Sequence, residues 1–451
     1  MTHDPQLARL GLFDARVPRY TSYPTAPHFG ASVNAGDFTD WIEAVPEGSQ
    51  ISLYVHVPFC RRLCWFCACR TQGTTSNDPV NAYVEMLLLE LAMLARHLPR
   101  GVSLSRLHWG GGTPTLLDPE RMTRLAEAIF RVAPMAAEGE FSVEIDPNEI
   151  DDPRLDALAA AGMNRASIGV QDFDPMIQKA IGREQSYQLT RDVVERIRAR
   201  GIGSLNADIL YGLPHQTGPR IADSVQKLLT LSPDRVALYG YAHVPWMSRR
   251  QQMIPSDTMP TPQERLDLFE TARQLFLWDG YREIGIDHFA KPEDGMARAH
   301  AAGRLRRNFQ GYTDDTSPVL IGIGASSISR FPQGFAQNAA ATAAHVKAIR
   351  EGRFSVHKGH RFSGEDTLRA RIIEALMCDF AVRREELLSR FATTDEHLET
   401  LFQAAKKTFG DMVQVTEEGF FIPERARPLT RMIARAFDAY DSAQARHSSA
   451  V

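Results

Sequence analysis

Four of the chain's five cysteines fall within ten residues: Cys60, Cys64, Cys67 and Cys69 share the stretch LYVHVPFCRRLCWFCACRT, and only Cys378 lies elsewhere. Disulfides staple distant segments together, so cysteines bunched this closely argue for metal instead. A structural zinc site usually draws its ligands from two separated knuckles. Here CxxxCxxC puts three thiolates into one eight-residue loop, which suits an iron–sulfur cluster. Three thiolates on a cubane of four irons leave one iron open to an exchangeable ligand, and an open iron implies chemistry rather than bare electron transfer. A zinc loop with His56 as fourth ligand is the competing reading. Cys69 reads as a fourth ligand, a redox thiol or a small packed residue.

A second set of chemical residues follows from alternation. In Phe141 to Asp146 the apolar residues Phe141, Val143 and Ile145 oppose Ser142, Glu144 and Asp146. Ala166, Ile168 and Val170 likewise oppose Ser167, Gly169 and Gln171, and Leu205, Ala207 and Ile209 oppose Asn206 and Asp208. Ile51, Leu53, Val55 and Val57 oppose Ser52, Tyr54 and His56. If helices cover the apolar face, the polar face must line the interior, so the interior holds something polar. Buried Glu144 and Asp208 need hydrogen-bonding or cationic partners, either a ligand or a protein arginine such as Arg183. Gly110, Gly111 and Gly112, followed by Thr113 and Pro114, allow a ligand to approach the backbone itself.

The elements that position these residues form a strand–helix rhythm. Strands are predicted at Ile51 to Val57, Leu104 to Trp109, Phe141 to Asp146, Arg165 to Gln171, Leu205 to Tyr211 and Arg235 to His243. Helices fit between them at Pro79 to Leu98, after Asp118 as N-cap with Pro119 first in the helix, and near Asp152 to Ala161, Tyr187 to Arg200 and Arg220 to Leu231, with another at Pro262 to Trp278. Six such units require a parallel sheet with helices outside, closing as a partial (β/α)6 barrel of TIM type. In such barrels ligands bind at the C-terminal ends of the strands, where the cysteine loop and the glycine loop are neighbours.

Further strands are expected at Arg282 to His288 and in PVLIGIGASSIS, extending the sheet edge. Residues 1–35 read as an extended N-terminal arm, 36–360 as the barrel domain with its sheet extension, and 361–451 as a small, mostly helical, winged-helix-like domain. Tyr20, Tyr23 and Phe29 in the arm require burial. The composition, 43% hydrophobic and 24% charged with formal net charge -4, offers no footprint for nucleic acid. The greasiest helix is broken by Glu85, Glu90, Arg96 and His97, and MTHDPQLARLGLFDAR lacks a signal-peptide core, so no membrane span and a reducing cytoplasmic setting are expected.

The cysteine loop and GGGTPT resemble those of radical S-adenosylmethionine enzymes. PRYTSYPTA (Pro18 to Ala26), the CxC of Cys67 and Cys69, HWGGGTPT, GVQDF, GREQ, IDHFAKP and RNFQGYT make the chain similar, more narrowly, to the oxygen-independent coproporphyrinogen III oxidase family. The resemblance implies that Cys60, Cys64 and Cys67 hold a 4Fe-4S cluster whose free iron takes S-adenosylmethionine. It assigns that molecule to Tyr54, Gly111, Glu144 and Ile328 and a second molecule to Phe66, Gly112, Thr113, Gln171, Arg183, Asp208 and Ala242, and it counts Phe309 and Gln310 of RNFQGYT among the cofactor-binding residues. It implies oxidation of two propionates of coproporphyrinogen III to vinyls through a 5'-deoxyadenosyl radical, fed by a reduced flavodoxin- or ferredoxin-like donor. Cys69, Tyr20 and Arg19 are then candidates for catalysis, with Arg19 and Arg307 holding carboxylates and the arm closing as a lid. The loop departs from the family's usual CGCN, reading Cys67-Ala68-Cys69-Arg70. A haem chaperone of the same fold, a radical enzyme that methylates or opens a porphyrin, and a zinc-loop interaction protein are the alternatives.

Overall fold

The computed structural model describes residues 5–440 and Ala450. Six parallel strands form its centre, in the order β1 (Gln50–Val57), β2 (Ser103–Gly111), β3 (Met135–Ile145), β4 (Arg165–Gln171), β5 (Ser204–Tyr211) and β6 (Arg235–Gly240). Spatial order equals chain order because each strand is carried to the next by an outer helix. These are α1 (Asp78–His97), α2 (Pro119–Val132), α3 (Asp152–Ala160), α4 (Tyr187–Ala199) and α5 (Gly218–Thr230), with α6 (Pro262–Trp278) after the last strand. The helix starts are chemically marked. Asp118 accepts the Arg121 N–H at 2.9 Å, and Thr261 and Glu264 form a reciprocal capping box on α6.

The apolar sets of the alternating strands lie fully buried under the helices, with Phe141, Ala166, Ile168 and Ala207 at zero exposure. Their opposites Glu144, Gln171 and Asp208 are half-buried on the inner face, so the partial barrel has a polar interior.

Four expected strands differ by more than two residues from those formed; the third begins at Met135, six residues before Phe141, and ends at Ile145. The sixth stops at Gly240 instead of His243, because the Gln251 side chain captures the next backbone groups: its Oε1 accepts the Val244 N–H, and its Nε2 donates to Ala242 O at 3.0 Å. Arg282 to His288 is a hairpin of β7 (Arg282–Ile284) and β8 (His288–Ala290), with β8 antiparallel to β6. Its turn is set by the Tyr312 hydroxyl, which accepts the Ile286 N–H at 3.0 Å. After a small hairpin of β9 (Arg306–Asn308) and β10 (Gly311–Thr313), PVLIGIGASSIS breaks into β11 (Leu320–Ile323) and β12 (Ile328–Phe331). β11 runs parallel to β1, and β12, β13 (Gly334–Asn338) and β14 (Val356–Arg361) complete that edge of a twelve-stranded sheet.

The C-terminal helices Asp366–Asp379, Arg384–Arg390 and Asp395–Phe409 pack with three short antiparallel strands; the first, Ala381–Arg383, was not expected. It follows Phe380, whose φ of 55° turns the chain sharply out of the preceding helix. The arm contains helical turns at Pro5–Arg9 and Ala26–His28, and it supplies Leu7, Leu12, Tyr20 and Tyr23 to the C-terminal core. It then bridges Gly30 to Gly359 on β14, with Phe29 stacked on Phe335 at 5.3 Å.

Candidate active site

The cysteine loop leaves β1 and is closed by a two-residue clasp, Phe59–Cys60 pairing in parallel with Gln72–Gly73. Arg183 Nη1 donates to Cys64 Sγ at 3.5 Å, and the Trp65 N–H donates to Ile181 O at 2.9 Å, so the loop is tied to the segment after β4. Burial pushes the Cys60 thiol up to about 11 and raises that of Cys64, with Arg183 opposing the latter. Cys67 is pulled down to about 6 by a hydrogen bond with Cys69, whose own thiol is held up by the same bond. Among the described residues no three Cys, His, Asp or Glu converge on a single metal ion. His56, the fourth ligand of the zinc reading, is engaged elsewhere: the Tyr54 hydroxyl donates to its Nδ1 at 2.9 Å, and its Nε2 donates to Arg70 O at 3.3 Å.

Beside this loop Tyr54 stacks on His108 at 5.7 Å and 18°. Glu144 accepts from His108 Nε2 at 3.2 Å and from the Gly111 N–H at 3.1 Å. Burial works against its charge, but these donors hold the carboxyl below its usual range, and the side chain keeps 41% of its surface open to the interior. Glu144 is therefore an anion with room for a cation. The glycines beside it are steric requirements: Gly111 has φ 111°, and a Cβ on Gly112 would lie 2.5 Å from Phe59 O. The Gly112 N–H is already given to Val57 O and the Thr113 N–H to Phe59 O, each at 2.8 Å.

Across the barrel, Arg183 pairs with Asp146 at 3.2 Å and donates to Gly169 O at 3.0 Å; its ion-pair partner is neither Glu144 nor Asp208. Asp208 accepts from Asn206 Nδ2 at 2.9 Å, and burial raises its carboxyl to about 6. The β4–β5 register slips between Gly169 and Gln171, leaving Gln171 at φ 69°, a bulge that re-aims one side chain at the mouth. Gln251 Nε2 donates both to Phe66 O (2.9 Å) and to Ala242 O, joining the cysteine loop to the end of β6.

The structure thus gathers Tyr54, Gly111 and Glu144; Cys64, Gln171, Arg183 and Asp208; and Phe66 with Ala242. Other expected residues lie apart from these contacts. Ile328 opens β12 opposite Gln337, Gln310 is exposed in the β9–β10 turn, and Phe309 packs on Phe29 and Phe335. The adjacent arm residues divide: Tyr20 is buried with its hydroxyl donating to Asp438 at 3.0 Å, whereas Arg19 donates to Gly240 O at 2.7 Å. Sequence reasoning missed His108 and Gln251 as site residues. His108 was legible as the residue in register with Tyr54; nothing in its neighbours marks Gln251.

A cavity of about 1080 Å³ opens beside the ends of β5 and β6, with Arg19, Tyr211, Gly240, Ala242, Asp287 and Arg307 among its walls. The cysteines are not in its lining; Ala242 and Gln251 connect the two places. A smaller cavity of about 370 Å³ lies on the other side of Arg307.

Residues 54–228 match the model of the radical SAM superfamily. The chain is 66% identical to the oxygen-independent coproporphyrinogen III oxidase of Paracoccus denitrificans over the full length of both, and 63% identical to that of Cereibacter sphaeroides over 97% of each. The solved coproporphyrinogen III oxidase of Escherichia coli superposes with a TM-score of 0.91 at 33% identity, covering 98% of this chain and 100% of that one. Fold and thiol loop define a radical S-adenosylmethionine enzyme. Within that class the chain belongs to the oxygen-independent coproporphyrinogen III oxidases.

The residues present fit the cofactors of that class, a 4Fe-4S cluster and S-adenosylmethionine. Three thiols stand in one clasped loop, beside an anionic Glu144 and a backbone that no Cβ obstructs. Among the described residues no helix is long and apolar enough to cross a membrane.

Proposed function

We infer that this chain catalyses the oxygen-independent oxidation of coproporphyrinogen III to protoporphyrinogen IX, converting two propionate side chains to vinyl groups with loss of carbon dioxide. The observation that carries this reading is the end-to-end 66% identity with a coproporphyrinogen III oxidase. When bound, the cluster and S-adenosylmethionine supply the one-electron chemistry needed to take a hydrogen from an unactivated C–H bond, which no protein acid or base can do.

The chain's own residues bind, orient and exclude. Cys60, Cys64 and Cys67 would hold the cluster, and Glu144 would offer its negative charge to the cationic S-adenosylmethionine. Tyr54, fixed by its hydroxyl on His56 and its ring on His108, walls that site. Phe66, Gly112, Thr113, Gln171, Arg183, Asp208 and Ala242 would form a second cofactor position, supported by the bulge at Gln171 beside Arg183 and by the Gln251 bridge between Phe66 and Ala242. Arg19 and Arg307 take substrate carboxylates, supported by their place in the walls of the large cavity. A reduced flavodoxin- or ferredoxin-like carrier supplies the electron, because no protein side chain is a low-potential one-electron reductant.

The test is an anaerobic assay of the reconstituted protein with reductant, S-adenosylmethionine and coproporphyrinogen III, resolving porphyrins and 5'-deoxyadenosine by chromatography. Both products are expected from the parent and neither from Cys64→Ser. Deoxyadenosine without protoporphyrin would overturn the substrate. Cys69→Ser separates a catalytic thiol from one that only tunes Cys67: the first loses protoporphyrin, the second keeps it.

A further inference from the structure

The turn between β7 and β8 carries Asp287 to the ends of the barrel strands, where the Leu238 N–H grips its carbonyl at 2.8 Å and its side chain joins the wall of the large cavity. One carboxylate oxygen, Oδ1, accepts from His288 Nδ1 at 2.7 Å. Among the described residues none donates to the other. Arg307 Nη1 lies 3.9 Å from Oδ1, the oxygen His288 already holds, and beyond hydrogen-bond distance. Burial works against a charge here, yet the His288 bond and the nearby Arg307 and Arg19 guanidiniums hold Asp287 below the usual carboxylate range. The side chain retains 16% exposure, toward the cavity.

Arg307 is the independent sign that a ligand belongs here. Its side chain is 5% exposed, its guanidinium lies over the Tyr312 ring at 4.4 Å, and its Nε and Nη1 are buried with no hydrogen-bond partner. Buried polar atoms without partners are costly, and so is a buried carboxylate with an empty lone pair. A simple Asp287–Arg307 pair would satisfy both, but the two do not close. Both side chains belong to the wall of the same cavity.

The substrate's chemistry matches this arrangement. A porphyrinogen has four pyrrole N–H donors directed toward its centre and carboxylates at its rim. A site for it therefore needs one anionic acceptor for the centre, set among cations for the rim. The cavity walls contain Asp287 together with Arg19, Arg265, Arg307 and Arg431; the other carboxylates of the lining, Glu270, Glu283 and Glu424, are each paired with Arg273. We propose that Asp287 receives the pyrrole N–H groups of the bound porphyrinogen and selects the reduced macrocycle over the oxidised porphyrin. An oxidised ring keeps only two N–H groups and presents imine lone pairs, which a carboxylate repels. A site built around hydrogen bonding rejects a ring lacking the donors far more strongly than an apolar pocket would. The proposal rests on the substrate reading above.

The experiment measures anaerobic equilibrium binding of coproporphyrinogen III and of coproporphyrin III to the reconstituted enzyme with S-adenosylmethionine and no reductant, so that no turnover occurs. The parent should bind the porphyrinogen about tenfold or more tightly than the porphyrin. Asp287→Asn, which can keep the His288 contact, and Asp287→Ser should lose that preference by weakening porphyrinogen binding while porphyrin binding stays within a factor of two or so. Arg307→Gln should weaken both rings alike. Iron content and circular dichroism establish that each variant is folded and loaded. A parent that turns over the porphyrinogen while both Asp287 variants keep its preference overturns the proposal alone. A parent that binds neither ring and forms no protoporphyrinogen overturns the substrate reading, and the proposal with it.

Discussion

At the barrel mouth, Tyr54, Glu144, Gln171 and Asp208 are half-buried and keep polar surface open to the interior. In the seam between the arm and the C-terminal lobe, Leu12, Tyr23, Ile372, Phe402, Phe420 and Phe437 are buried in a single apolar cluster. Two carboxyls of the barrel domain show a similar contrast between open and closed surroundings. Glu144 at the mouth is held below its usual range with space before it. Glu90, on the dry outer side of β1, is 1% exposed, accepts from the Gly324 N–H (2.8 Å) and from Asn338 Nδ2 (2.9 Å), and is pushed by burial up to about 7. One region stays incomplete so that a ligand can complete it. The other is complete in itself.

The strongest test of this division is Cys64→Ser. Iron and sulfide content and deoxyadenosine formation should fall to background while the melting temperature of the cluster-free protein is unchanged, because the loop contributes little to either core. A collapse of the apoprotein would break the comparison. Next in size is Tyr23→Ala in the seam, where the ring packs edge-on against Tyr440 at 5.8 Å and its hydroxyl accepts the Ala439 N–H at 2.9 Å. Denaturant unfolding should show a loss of about 3–5 kcal/mol, with iron content and S-adenosylmethionine cleavage per folded molecule retained.

Gly112→Ala acts at the mouth alone. The added methyl would meet Phe59 O and shift the clasp, so turnover should drop on the order of 10²-fold with global stability little altered. Equilibrium dialysis with S-adenosylmethionine would locate the loss in cofactor binding. The smallest effect concerns Glu90. Its folded pKa, about 7, lies above the ordinary 4.5, so the folded state holds the proton more tightly. Its contribution is fully present below about pH 4.5 and declines as pH rises through 7, by up to about 3 kcal/mol. Urea midpoints of the parent should fall between pH 5 and pH 8, and Glu90→Gln should flatten that slope.

The barrel was legible because its evidence is local. Alternation at a period of two along β3, β4 and β5, and the Asp118-Pro119 start of α2, each depend on residues a few positions apart, which is also the range over which strand pleat and helix pitch act. The thiol loop and the glycine run were legible for the same reason, since their chemistry sits inside short segments. Departures occurred where a distant group replaced a neighbour. Gln251 ends β6, and the Tyr312 hydroxyl sets the turn that presents Asp287. Tyr20, drawn toward the mouth by its place beside Arg19, instead reaches Asp438, more than four hundred residues away.

By itself, then, the amino-acid order determined the parallel barrel, its polar interior, the three-thiolate loop and the family these belong to, because each is written in spacing or in contiguous motifs. Tertiary structure alone decided which carboxyl Arg183 pairs with, which arm residue lines the cavity, and that Asp287 and Arg307 share one cavity wall without a hydrogen bond between them. Those outcomes depend on distances between segments far apart in the chain, set by side-chain hydrogen bonds and close packing across the whole fold.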